Sequence, residues 1–325
     1  MSSDNRITGH YTIPPELSDR RLDQAAAELM PEHSRSRLQS WIKSGALTVN
    51  GEARKPRDKV MMDDVLDLDA EPEVQVTWEA EPITLDIVYE DEHLLVINKP
   101  AGLVVHPAAG HADGTLVNAL LNYAPEVENL PRAGIVHRLD KDTSGIMVVA
   151  RSLIAHTSLV NQLQERTMGR EYEAVVVGSL TGGATVDAPI GRHPQDRKRM
   201  AVVSSGKPAV THYRLIERFA AHTHVRCKLE SGRTHQIRVH MTHVRHPLVG
   251  DPVYGGRLRL PKGTTEELRD VLAAFHRQAL HARQLTLEHP ETGEILSWEV
   301  PLPEDMVHLI ETLRKHAREL EENDY

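Results

Sequence analysis

The sequence predicts an α+β protein, with a large domain on a mixed, mainly antiparallel β-sheet with flanking helices, preceded by a small N-terminal α/β module. Three observations predict it. From Asp86 onward, short apolar runs bounded by turn residues recur with only a few helical stretches between them. Residues 17–50 instead carry two helix-period patterns followed by a hairpin signal. The stretch from Asp63 to Pro82 is acidic and proline-bearing, and separates the two regions.

Taken in order, residues 1–16 are polar and carry Pro14 and Pro15, which predicts a flexible arm. Residues 17–75 form the small module. Leu22, Ala25, Ala26 and Leu29 recur at helix spacing, and a second helix is predicted from Ser36, capped by Gln39, to Ser44 and Gly45. Leu47 to Val49 reads as a strand, and Asn50-Gly51 is a strong hairpin-turn signal. A linker is expected over 76–84. The large domain, 85–303, carries strand patterns at 86–89, 94–98, 171–177, 209–217 and 223–230, and a helix near 152–166 with Leu159 and Leu163 four apart. Residues 304–325 read as a C-terminal helix, with Leu309, Ile310, Leu313 and Leu320 on one face, and an acidic tail.

With 325 residues the chain is long enough for roughly two or three domains. Its 40% hydrophobic and 26% charged residues suit a globular protein. No apolar run approaches the roughly 18 residues that span a bilayer, and MSSDNRITGH lacks the apolar segment of a secretory signal. The single cysteine, Cys227, excludes an intrachain disulfide and a cysteine-based zinc site. The expectation is a cytoplasmic monomer with no membrane partner. Net charge is −9, yet residues 191–238 carry eleven Lys or Arg against three acids. Affinity for phosphates follows such local patches more than net charge.

The run HRLDKDTSG, His137 to Gly145, places Asp140 two residues after Arg138 and between apolar strand-like segments. By pattern alone it is a hairpin whose Asp142, Ser144 and Gly145 satisfy turn geometry. Other segments stand out: NKPAGLVVHP (98–107), REYEAVVVG with Tyr172, and RHPQDRKRM, a basic loop with Arg192, Lys198 and Arg199. So do SGRTHQIRVH (231–240), with Arg233 and Arg238, and LVGDPVYGG (248–256), where Gly and Pro shape a loop and Tyr254 reads as structural. His240, His243 and His246 recur at three-residue spacing without a carboxylate-completed set, so no metal is expected. There is no G-x-S-x-G nucleophile elbow.

In this order, the motifs resemble those of the RluA-type pseudouridine synthases. The segment RLDQAAAELMPEHSRSRLQSWIKSGALTVNGE resembles the RNA-binding module named after ribosomal protein S-four. Together the resemblances cover residues 17–303. They imply an isomerase that converts uridine in RNA to pseudouridine, a redox-neutral change requiring no cofactor. Asp140 would be the nucleophile after base flipping, paired with Arg238 or, as the fallback, Arg233. Tyr172 would stack on the target base and assist C5 proton removal, and Arg138 would enter the space the base vacates. Arg20, Arg21, Arg35, Arg37 and Lys43 of the front module, with Arg192, Lys198, Arg199 and Arg233, would contact RNA. The implied partner is large-subunit ribosomal RNA, free or in an assembling large ribosomal subunit, with the loop of helix sixty-nine as target. Alternatives are a sister synthase acting on other ribosomal or transfer RNA uridines, and a non-catalytic RNA-binding protein of the same fold.

Overall fold

A computed structural model describes residues 6–33, 35–70, 78–108, 110–258, 260–261 and 263–323. The chain divides into two units, Met1–Thr77 and Trp78–Tyr325.

In the first unit, β1 (Ile7–Thr12) is followed by α1 (Leu22–Leu29), α2 (Arg35–Ser44), β2 (Leu47–Val49) and β3 (Val65–Ala70). The strands form an antiparallel sheet in the order β1-β3-β2. Leu22, Ala25 and Ala26 of α1 are buried in one core with Leu38 and Ile42 of α2 and Val49, Leu66 and Leu68 of the sheet. Two expectations are corrected here. Residues 7–12 are a strand paired with β3 from Ile7↔Ala70 to Thr12↔Val65, and Ile13 behind them is fully buried, so this stretch is not a loose arm. Its polar alternation hides the strand, because Ile7, Gly9 and Tyr11 on the inner face are only half-buried. The second helix begins at Arg35, and the Gln39 amide donates to Asp23 Oδ2 (2.7 Å) instead of closing a capping box. The Ser36 side chain lies outside the described residues. Asn50 and Gly51 have φ of 53° and 81°, the left-handed pair that a type I′ hairpin turn requires.

The second unit runs β4 (Ile87–Glu90), β5 (Leu94–Lys99), α3 (Leu116–Tyr123), β6 (Ser144–Ala150), α4 (Leu153–Gln164), β7 (Gly169–Val177), β8 (Ala184–Asp187), β9 (Ile190–Arg192) and β10 (Met200–Val202). Then follow β11 (Val210–Arg218), β12 (His222–Leu229), α5 (Gln236–His243), α6 (Glu266–Ala274), β13 (Leu280–Glu288), β14 (Ile295–Glu299) and α7 (Glu304–Asn323). Among the described residues, one nine-stranded sheet has the order β4-β5-β6-β13-β7-β12-β11-β8, with β14 also paired to β13, and β9 and β10 form a small ribbon. Every pairing is antiparallel except β6 with β13, where Ser144 and Gly145 face His281 and Ala282. The architecture is α+β on a mainly antiparallel sheet. Apolar strand runs such as Leu94–Ile97 and Ile146–Ala150 are buried on both faces.

The ends of this unit also differ from expectation. Residues 78–84, read as linker, are tied to it: Trp78 packs on its core and the Glu81 N–H donates to the Asn118 carbonyl (2.9 Å). Residues 76–77 lie outside the described residues. Helix α7 is no appendage, because Met306, Leu309, Ile310 and Leu313 bury against Leu268, Leu272 and Phe275. Among the described residues no helix is long and apolar enough to cross a membrane.

Candidate active site

The loop from His137 to Thr143 leads into β6, and several segments brace it. The His137 Nε2 accepts the Val148 N–H (3.0 Å). Burial, with the nearby charge of Arg170, pushes this imidazole down to about 3, so it is neutral and free to accept. The fully buried Lys99 ammonium donates to the carbonyls of Pro100, Leu103 and Lys141 (2.9, 2.9 and 3.0 Å), which explains the NKPAG segment as bracing. From the other side, Arg277 donates to the Asp142 carbonyl (3.2 Å) while gripping Asp305 (2.6 and 2.8 Å), and the Gln278 amide donates to Thr143 Oγ1 (3.0 Å). Gly145 is not a turn residue. It sits at the start of β6 with φ of 121°, and a Cβ there would lie 2.2 Å from the Ala282 carbonyl oxygen, so only glycine lets β6 approach β13.

This frame presents Asp140 with its side chain 19% exposed. Arg238, projecting from α5, donates from Nη1 to Asp140 Oδ2 (2.9 Å) and from Nε and Nη2 to Asp251 (2.7 and 3.0 Å). Asp251 Oδ1 also accepts the Val253 and Tyr254 N–H groups (2.9 and 3.0 Å). Burial works against charge on both partners. Their mutual hydrogen bonds and charges outweigh it, holding Asp251 below the ordinary carboxylate value and Arg238 above the ordinary guanidinium value. The Tyr254 ring lies 5.0 Å from the Arg238 guanidinium carbon. The Tyr254 hydroxyl accepts the Met200 N–H (2.9 Å) and meets His235 Nδ1 at 2.8 Å. Arg233 turns elsewhere, its Nε donating to the Pro208 carbonyl (3.0 Å).

Tyr172 on β7 lines the same pocket, a cleft of about 590 Å³ that also includes Arg138, Asp140, Arg233 and Arg238. Burial holds the Tyr172 phenol above its ordinary value, with Asp140 adding and Arg170 opposing, so the phenol is protonated at neutral pH. Arg138 is exposed at the rim. In the basic loop, Arg192 donates to the Arg197 carbonyl (3.1 Å), Lys198 is exposed, and the Arg199 guanidinium lies 5.3 Å from the Tyr254 ring. In the first unit, Arg21 and Arg35 both pair with the buried Asp23 (2.9 Å each), and Arg20 pairs with Glu28 (2.6 Å). Arg37 lies 5.0 Å from the Trp41 ring, and Lys43 is exposed. Among the described residues no group of His, Cys, Asp and Glu is arranged to hold a metal.

Sequence reasoning missed Asp251 and His235. Asp251 is the only carboxylate between Ser231 and Thr265, a segment that holds Arg233 and Arg238, but that isolation follows no spacing rule. His235 precedes α5 in the left-handed region (φ 57°), with Nε2 3.9 Å from Asp140 Oδ1. Burial lowers its pKa below the ordinary histidine value, Asp140 and Asp251 oppose, and Arg238 and Arg138 add to the lowering. The ring therefore gains a proton only at pH more acid than an ordinary histidine requires. Protonated, it would draw Asp140 Oδ1 into an ion pair. Turnover is expected to fall on this acid side, and the fall to shrink in His235→Asn; an unchanged acid limb in that variant would assign the titration elsewhere.

A family model described as RNA pseudouridylate synthase matches residues 93–243, which contain Asp140, Tyr172 and Arg238. An S4 domain model matches residues 20–66. The chain belongs to the RNA pseudouridylate synthase family and is an isomerase. Among its relatives is ribosomal large subunit pseudouridine synthase D of Pseudomonas aeruginosa, 63% identical over 303 residues that cover 93% of this chain and 95% of that protein. The protein of that name from Escherichia coli is 55% identical over 315 residues, covering 97% of each. Among solved structures, human RNA pseudouridylate synthase domain containing 4 superimposes with a TM-score of 0.56 at 27% identity, covering 70% of this chain and 93% of that one.

Proposed function

We propose that this chain isomerises uridines of large-subunit ribosomal RNA, in the loop of helix sixty-nine, with Asp140 as nucleophile. The observation that carries the chemistry is the pairing of Asp140 with a doubly anchored Arg238 beside Tyr172 in one pocket. The relatives' names carry the substrate. The N1–C1′ bond breaks, the base turns, C5 bonds to C1′, the C5 proton leaves and N1 takes one up, so no electrons are gained or lost. Arg238 orients the attacking carboxylate, and the Tyr172 ring provides a face for the uracil. Extruding the base costs of the order of a few kcal/mol, part of which Arg138 at the rim offsets by filling the gap. Loop bases suit such an enzyme, because they are unstacked and the A-form major groove is closed to side chains. The S4 domain holds structured RNA, and Arg192, Lys198 and Arg199 follow its phosphates. Asp140, Tyr172 and Arg238 come from one chain, so a monomer suffices, and a ribosomal RNA substrate fits a cytoplasmic protein.

The test is tritium release from uracil C5 in large-subunit RNA fragments with and without that stem-loop. Release confined to fragments containing it supports the assignment. Release only from other ribosomal or transfer RNAs would make this a sister synthase with a different target.

A further inference from the structure

Among the described residues six arginines line the pocket, and two of them are buried, Arg238 and Arg170. Arg238 has two carboxylates. Arg170, on β7 two residues before Tyr172, is 7% exposed, and its side chain has no hydrogen-bond or ion-pair partner among the described residues; its Nε is sealed from solvent with nothing to donate to. A guanidinium held this way is costly unless something enters to meet it. The loop beside it is shaped to leave it room, since a Cβ on Gly232 would lie 2.5 Å from Arg170 Nη1. The other cations differ. Arg132, Arg138 and Arg166 are exposed, Arg166 facing Glu230 at 3.4 Å, and Arg233 is half-buried against a carbonyl. Phosphates of a bound strand stay at the surface with those exposed cations, and the flipped base is the part that reaches the buried one.

We propose that Arg170 is a catalytic residue that donates hydrogen bonds to a carbonyl oxygen of the flipped uracil and stabilises the negative charge that develops on the ring. The proposal rests on the pseudouridine synthase reaction. When the N1–C1′ bond breaks, its electron pair passes to the uracil and spreads over N1, O2 and O4. If Asp140 adds to the ring first, an electron pair moves onto the same conjugated oxygens. In both routes the charge disappears as C5 bonds to C1′, the C5 proton leaves and N1 is protonated. A fixed donor at the oxygen is worth most while that charge exists, in a site from which water is excluded.

The experiment uses the full chain and an RNA on which the wild type is active, comparing wild type, Arg170→Met and Arg170→Lys. Single-turnover isomerisation, RNA affinity across a salt series and thermal melting are measured. Arg170→Met is expected to lose about 100-fold or more in rate with affinity within about threefold and melting unchanged or raised, and Arg170→Lys to recover part of the rate. RNA with 4-thiouridine or 2-thiouridine at the target, scored by nucleoside chromatography, then identifies the oxygen. One thio substitution should slow the wild type and leave Arg170→Met, already lacking the donor, little affected. Two results would overturn the proposal. Weaker binding and a shallower salt slope with an unchanged bound-state rate would make Arg170 a phosphate contact. Lowered melting with no rescue by lysine, or equal thio effects in wild type and variant, would make it structural.

Discussion

Asp140→Asn is expected to reduce isomerisation by more than about 10³-fold while leaving RNA binding and the fold close to wild type. The amide removes the carboxylate charge and keeps the shape. The fold should survive because Arg238 does not depend on Asp140 alone. Two of its nitrogens remain bonded to Asp251, so no buried cation is stranded. The loop is also secured independently by Lys99, Arg277 and Gln278. Tritium release and filter binding on the same RNA check both halves, and turnover retained by the variant would remove Asp140 from the nucleophile's role.

Asp251→Ala should be the more damaging change to stability. Its side chain is fully buried, grips Arg238 at two points and accepts two backbone N–H groups, all of which would lose their acceptor. Breaking one side of such a buried pair costs about 3–5 kcal/mol, which in a domain of this size lowers the melting temperature by about 6–20 °C. Activity should fall as well, by about 100-fold, because Arg238 loses the anchor that aims it at Asp140. Arg233→Ala is the control. Its Nε meets only a surface carbonyl, so stability should change by less than about 0.5 kcal/mol. Equal melting shifts for the two variants, read by calorimetry, would contradict the anchoring role of Asp251.

Much of this site was legible in the sequence because its parts lie in short ordered segments. Asp140, Tyr172 and Arg238 each sit inside a motif, and the strand that follows Asp140 and the strand that carries Tyr172 announce themselves through runs such as Ile146–Ala150 and Ala174–Val177. What escaped has physical reasons. The strand over 7–12 buries only one face, and weakly, so its residues look like solvent-facing polar sequence. Gln39 resembled a cap until the buried charge of Asp23 competed for its amide and won. Asp251 was hidden in a segment that Gly and Pro make look like a turn; a carboxylate that serves one buried partner has no spacing rule to betray it. The parallel pairing of Ser144 and Gly145 with His281 and Ala282 joins residues too distant for any local pattern to report.

That pairing has a bearing on when the protein becomes competent. Strand β13 lies between β6, which carries the Asp140 loop, and β7, which carries Tyr172 and leads toward the half of the sheet behind Arg238. Until β13 is inserted, the sheet is two separate antiparallel pieces, and the segment just ahead of it, with Arg277 and Gln278, is not yet there to brace the loop. On the translating ribosome, Asp140 and Arg238 are therefore braced together only after residues 280–288 have emerged. A chain released early would keep its RNA-grasping front module yet be chemically silent, occupying RNA without marking it. The order of the strands thus delays catalysis until β13 has been made.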